Sequence, residues 1–353
     1  MPMHPAVEEY DLFPVLELLF TDQKDQALDR LAALGFIDQK SRPFWEAELQ
    51  KQQYNKNISD LVAAAKMMLD PKAALNGKLS SKEPLSILAN LLSIMETAKQ
   101  FGHDYSLDAV KNRTILDCGS GIYYSFSSSV VLFANGYRKA IGYEPFTLQT
   151  DFVVSSLFEL VRSIFEQPDK FRFSGISARE LKTRVASLDF EGLQAKLERL
   201  NKREINVVDL GGVILTNHAD TIADSSIDAI FSNSVLEHVK DLPSELHWHR
   251  RVLADNGLCF HTVDFADHRS YLNNSLSLVE MYYDGVLDEI NGLRPSQMET
   301  AFLTAGFAGG KLQKLQIPDT QLSPSREMVS PFAGLPRNDL LEWINGYILK
   351  KNA

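Results

Sequence analysis

The sequence predicts an open α/β fold, doubly wound around a mostly parallel sheet and preceded by a helical N-terminal region. Three observations predict it. Thr114-Ile-Leu-Asp-Cys-Gly-Ser-Gly121 reads as a short apolar strand running into a glycine turn, and a second apolar run ends in Gly142-Tyr-Glu144. From about residue 112 onward, apolar runs of strand length alternate with helix-spaced stretches, the pattern of a parallel sheet covered on both faces. Residues 1–105 carry apolar positions at helix spacing and show no strand alternation.

The elements follow in order. Leu12, Val15, Leu16, Leu19 and Phe20 mark a first helix; Leu28, Leu31, Ala32 and Leu34 mark a second that Gly35 stops. A third helix fits Pro43 to about Met68 and a fourth fits Leu85 to about Phe101, between Pro84 and Gly102. This front region, 1–105, reads as a helical cap or arm. Strand Thr114–Cys118 then leads to helix Ser125–Asn135, with Gly136 placed as its C-terminal cap. Strand Lys139–Tyr143 delivers Glu144 at its tip. Residues 145–204 form a helical insertion with helices expected at Asp151–Phe165 and Ala178–Leu200. A third strand is expected around Ile205–Leu210, followed by a polar connection through Asn217, His218, Ala219 and Asp220. Strand Ile227–Ser232, helix Pro243–Leu253, strand Leu258–Val263 and helix Ser296–Ala305 complete the alternation. The core is expected to span 106–320, and 321–353 is set apart as a C-terminal extension.

Bulk properties narrow the partners. A hydrophobic content of 44% with 23% charged residues suits a folded α/β domain plus a further segment. The formal net charge of −10 opposes general binding to phosphate backbones, so nucleic acid is not the expected partner. The first residues lack a basic segment before an apolar core, and no apolar run approaches the roughly 20 residues of a membrane span. Cys118 and Cys259 are the only cysteines. A disulfide framework is therefore not expected, and the cytoplasm is the default compartment. The assembly state is open; apolar helical arms often pair subunits, so a homodimer is one option.

Asp117-Cys-Gly119-Ser-Gly121, Glu144, Ser226-Ile-Asp-Ala-Ile-Phe-Ser-Asn233-Ser-Val-Leu-Glu237-His238-Val, Arg251-Val-Leu-Ala-Asp-Asn-Gly257, and finally Leu293-Arg294-Pro295 with Gly306-Phe307 occur in that order. Together they resemble a class I S-adenosylmethionine-dependent methyltransferase over roughly residues 110–310. The resemblance implies a Rossmann-like core with a seven-stranded sheet and S-adenosyl-L-methionine as cofactor. It implies that Asp117, Gly119, Ser120 and Gly121 form the turn at the methionine end, and that Glu144 holds the ribose hydroxyls. It also places Ala219, Asp220 and Asn233 among the cofactor-contacting residues. Tyr123 stands where the family usually has its third glycine. A dinucleotide dehydrogenase would need a glycine at position 124 to seat a pyrophosphate, and that residue is Tyr124.

Methyl transfer from a sulfonium is an in-line displacement, so the protein must position the acceptor and help remove its proton. The candidate catalytic residues lie past the fourth and fifth strands: His268, His238 and Asp267. A histidine with an ordinary pKa of about 6.5 suits a general base at neutral pH. Asp264, Tyr271 and Arg294 are the candidate substrate-binding residues. Glu237 reads as another acid of this region or as a solvated helix-start carboxylate. His247 and His249 are two apart on a helix and point to different sides, so they make no metal pair, and no Cys/His cluster has zinc spacing. Cys118 reads as a small buried filler. The expected function is transfer of a methyl group to an oxygen or nitrogen of a small-molecule acceptor, with no metal. The alternatives are an inactive methyltransferase-fold binding module, or a protein or RNA methyltransferase.

Overall fold

The computed structural model describes residues 24–33, 42–43, 91–92, 95, 98–120, 126–272, 275–287 and 290–352. The chain divides into two compact units, 1–83 and 84–353. In the first, the described residues include helix α1 (Lys24–Ala33), where the second helix was expected. The helices expected over 12–20 and 43–68 lie outside the described residues, apart from Pro43 itself, which is helical. In the second unit, residues 91, 92, 95 and 98–100 are helical, within the stretch expected for the fourth helix.

The rest of the second unit is built on one eight-stranded sheet. In chain order its elements are α2 (Leu107–Val110), β1 (Thr114–Cys118), α3 (Ser127–Ala134), β2 (Lys139–Tyr143), α4 (Thr150–Glu166), α5 (Ala178–Ala186), α6 (Leu193–Asn201), β3 (Val208–Asp209), β4 (Val213–Thr216) and β5 (Ile227–Asn233). They continue with α7 (Leu242–Val252), β6 (Leu253–Asp264), α8 (Arg269–Leu272), α9 (Met281–Asp284), α10 (Pro295–Thr304), β7 (Phe307–Gln316), α11 (Arg337–Leu341) and β8 (Glu342–Lys351). The strand order is β3-β4-β2-β1-β5-β6-β8-β7. The five central strands are parallel, while β3 and the β8–β7 pair run antiparallel.

Each central strand is buried on both faces, so alternate side chains feed two separate cores. Ile115, Ala140, Leu215, Ala229 and Phe231 pack toward α3 and the insertion helices. Leu116, Cys118, Ile141, Tyr143 and Ile230 pack toward α7 and α10. Helix α3 lies very close to β2. A Cβ on Gly142 would come within 2.4 Å of the Phe126 ring and 2.8 Å of the Ser129 hydroxyl, so only glycine fits there. Gly136 ends α3 at φ +108, the positive-φ stop expected of it.

Three features depart from expectation. The third parallel strand is β4, not the run around Ile205–Leu210, which supplies only the short antiparallel edge β3. The stretch expected as one helix, 178–200, is two, broken before Gly192 at φ +61. The C-terminal stretch supplies β8, which sits between β6 and β7 and brings the sheet to eight strands.

Candidate active site

The carboxyl ends of β1, β2 and β4 are stitched into one rim. The backbone N–H groups of Gly119 and Ser120 both donate to the Tyr143 carbonyl, at 2.9 and 3.1 Å. The glycine turn is therefore held within one residue of Glu144. The Glu144 N–H in turn donates to the Thr216 carbonyl at 3.0 Å, which ties β2 to the end of β4. Glu144 is a buried carboxylate, and its Oε1 accepts from the Phe146 N–H. Gly119 adopts φ +67, open to glycine at no steric cost. A Cβ there would also strike Val235 at 2.5 Å.

Asp117 braces this turn from below. Its Oδ2 accepts from the Ser129 and Ser120 hydroxyls at 2.9 and 3.1 Å. Burial pushes its carboxyl up to about 6 in spite of those hydrogen bonds. Gly121 and Tyr123 lie outside the described residues. Ala219 and Asp220 sit on a turn of 3₁₀ helix after β4 and border a surface cleft shared with Val239, Glu245 and Trp248 of the facing segment. Asn233 ends β5 beside Thr262 of β6.

A cluster of titratable side chains occupies the ends of β5 and β6. Val235, packed on Gly119, begins the short loop that carries Glu237 and His238. The His238 and His268 rings lie 4.8 Å apart between centroids. His268 Nε2 is 3.8 Å from Asp264 Oδ2 and has no hydrogen-bond partner. Asp264 Oδ2 accepts from the Tyr271 hydroxyl at 2.6 Å, and that hydroxyl accepts from the indole N–H of Trp343 at 2.8 Å. Glu237 Oε1 accepts from the Asp264 N–H, while its Oε2 is buried with no partner. The ligating atoms of Glu237, His238 and His268 all lie within 4.8 Å of one another.

Burial sets the charges of this cluster. It lowers the His268 imidazole to about 3, helped by the charge of His238, so the ring is neutral at physiological pH. Burial, and then repulsion from Asp264, pushes Glu237 well above the usual carboxylate range. Burial lifts Asp264 to about 6, opposed by its bond from Tyr271. At about 3 the His268 imidazole is neutral but a weak proton acceptor, whereas the Asp264 carboxylate, at about 6, lies closer to the range that suits a general base.

Two expected residues take other roles. Arg294 is fully buried, and its guanidinium donates to the carbonyls of Phe265, Asp339, Leu340 and Glu342. It staples α10 and β8 to the end of β6, and its complete burial sets it in the packing there rather than on a surface open to a substrate carboxylate. Asp267, also buried, accepts from the Arg269 guanidinium and from the Met281 N–H, so its carboxylate organises the segment after β6 rather than moving a proton. Glu237, offered by the sequence either as another acid of the site or as a solvated helix-start carboxylate, is buried in the cluster, which excludes the solvated alternative. Trp343 went unnoticed because it comes from the stretch set apart as an extension.

A second titratable group lies behind the glycine turn. Cys118, Glu245 and His249 bring a thiol, a carboxylate and an imidazole together. No pairing of His247 with His249 is involved; His247 Nδ1 bonds the Pro243 carbonyl.

A family model described as a methyltransferase domain matches residues 93–309, more than half of the chain. The chain belongs to the methyltransferase-domain family. No curated protein matches it in sequence. Among solved structures, it is similar to the YcgJ protein of Bacillus subtilis at 14% identity, covering 69% of this chain and 94% of that one, with a TM-score of 0.37. It is similar to a putative S-adenosylmethionine-dependent methyltransferase of Listeria monocytogenes at 13% identity, covering 74% and 100%, with a TM-score of 0.37. It is also similar to the CurJ carbon methyltransferase at 13% identity, covering 99% and 86%, with a TM-score of 0.40.

The cofactor of this methyltransferase family is S-adenosylmethionine, and the residues present fit it. A half-buried glycine turn is strapped to the strand end that carries Glu144, a buried carboxylate able to accept ribose hydroxyls. Among the described residues no helix is long and apolar enough to cross a membrane. Both cysteines are free and buried.

Proposed function

We propose that this methyltransferase-domain protein is an S-adenosylmethionine-dependent enzyme that methylates an oxygen or nitrogen of a small-molecule acceptor. The observation that carries the reading is the contact of Val235 with Gly119, which sets the loop bearing Glu237 and His238 against the cofactor turn. Proton-accepting groups thus adjoin the turn that holds the methyl donor.

In this reading Gly119 and Ser120 hold the methionine end, Glu144 takes the ribose hydroxyls, Ala219 and Asp220 border the adenine side, and Asn233 touches the cofactor from the end of β5. When bound, the cofactor supplies an activated methyl carbon. His268, neutral, accepts a hydrogen bond from the acceptor at Nε2, the nitrogen that has no other partner, and so orients it. Asp264 and Tyr271 position that ring and the acceptor, and His238 closes the other side. The acidic balance of the chain favours a neutral or cationic acceptor over nucleic acid.

The test is calorimetric. S-adenosylmethionine is expected to bind saturably, and Glu144→Ala to weaken it about 10–100-fold, the loss of a hydrogen-bonded carboxylate. With labelled cofactor and an acceptor panel, His268→Asn is expected to lower kcat roughly 100-fold or more while leaving cofactor affinity unchanged. No binding at millimolar cofactor would return the chain to the class of non-enzymatic binding modules.

A further inference from the structure

Cys118 is the last residue of β1, and its side chain faces α7, opposite to that of Asp117. There it meets Glu245 and His249, which are four apart and share one face of that helix. Cys118 Sγ lies 3.3 Å from His249 Nε2 and 3.5 Å from Glu245 Oε1, and those two atoms are 3.2 Å apart. Donor atoms at the corners of a tetrahedron with bonds of about 2.0–2.3 Å lie roughly 3.3–3.8 Å from one another, so this triangle already has the size of one face of a zinc site.

We propose that Cys118, Glu245 and His249 bind one divalent zinc ion that pins α7 to the base of the cofactor turn. One soft thiolate, one imidazole and one carboxylate form a donor set suited to zinc rather than to magnesium or calcium. The charges balance as well, because two anionic ligands cancel a dication in a buried place. On binding, the Cys118 thiol gives its proton to solvent and a zinc–sulfur bond replaces S–H. Cys118 and His249 are buried, whereas the Glu245 side chain is 22% exposed and borders the surface cleft. The cleft gives the ion an entry and lets water take the fourth position. The ring of His249 is held by stacking on His261, 5.4 Å away and nearly parallel. Gly119 follows Cys118 directly, so the ion stiffens the turn at its root. The cluster of Glu237, His238 and His268 supplies no thiol.

The full chain, stripped with chelator, is dialysed against zinc and assayed for bound metal; cobalt is used in parallel for its absorption spectrum. One ion per chain is expected, with a thiolate-to-cobalt charge-transfer band and tetrahedral visible bands. Cys118→Ser is expected to abolish that band and to weaken zinc by more than the roughly 10–100-fold that losing an outer-shell partner costs. Glu245→Gln, at the partly exposed corner, is expected to weaken zinc to a similar extent while retaining the parent's circular dichroism and apo melting temperature. Absence of a stoichiometric ion overturns the proposal. So does cobalt binding without a thiolate band, binding abolished by His268→Asn, or unchanged affinity in both Cys118→Ser and Glu245→Gln. Cofactor titration of the same samples is independent, so zinc bound without S-adenosylmethionine would retire the methyltransferase reading and keep the metal site.

Discussion

His268 and Asp264 stand four positions apart, and burial moves their proton affinities in opposite directions, the histidine down to about 3 and the aspartate up to about 6. The consequences for stability have opposite signs. An unfolded histidine takes up a proton near pH 6.5, while folded His268 refuses it until about 3, so its contribution is complete above 6.5 and is lost as the pH falls. Asp264 and Asp117, raised from 3.8 to about 6, contribute most at low pH and lose that contribution as the pH rises from about 4 to 6. His268→Asn removes only the first effect. The stability advantage of the parent over this variant is expected to shrink by about 2 kcal/mol between pH 7 and pH 5, at about 1.4 kcal/mol per pH unit below 6.5. Urea denaturation at the two pH values measures it. An advantage that stays constant would mean that the folded imidazole titrates like a free one.

At the scale of elements, the cofactor rim depends on how closely α3 approaches β2. Gly142→Ala places a methyl group within 2.4 Å of the Phe126 ring in a strand of ordinary backbone geometry. It is expected to cost about 1–3 kcal/mol through overpacking and to weaken cofactor binding by shifting the turn. An unchanged melting temperature would show that α3 does not rest on that strand. The same closeness explains what was legible in the sequence. β1 and β2 carry apolar runs that end at glycines, and their bounds are those expected. β4 was hidden because its four residues follow Gly211 and Gly212, at φ +86 and +153, and the longer run before them has the length of a strand. That His238, His268, Asp264 and Tyr271 lie together was legible, because all of them follow neighbouring strand ends. The structural roles of Asp267 and Arg294 were not legible, because their partners, Met281 and the carbonyls of 339–342, come from segments distant in sequence. The triad of Cys118, Glu245 and His249 was hidden for the same reason, since its thiol lies 131 residues from its imidazole.

For the whole molecule, β8 is a structural wall. It pairs with β6 along Leu258–Asp264 and with β7 on its other side. At Gly309 the two outer strands approach closely; a Cβ there would sit 1.8 Å from the Ile348 carbonyl oxygen. β8 also brings Trp343 to Tyr271 and buries Tyr347, Ile348 and Leu349. Ending the chain after Leu341 is therefore expected to abolish cooperative thermal unfolding and to leave a species that binds hydrophobic dye. A sharp transition at the parent's melting temperature would refute that.

The order β6-β8-β7 has a consequence for biosynthesis. A ribosome delivers β7 before β8, yet β7 belongs on the far side of a neighbour that does not yet exist. Until that neighbour emerges, the nascent chain presents an open sheet margin at β6, the kind of transient surface that holding chaperones recognise.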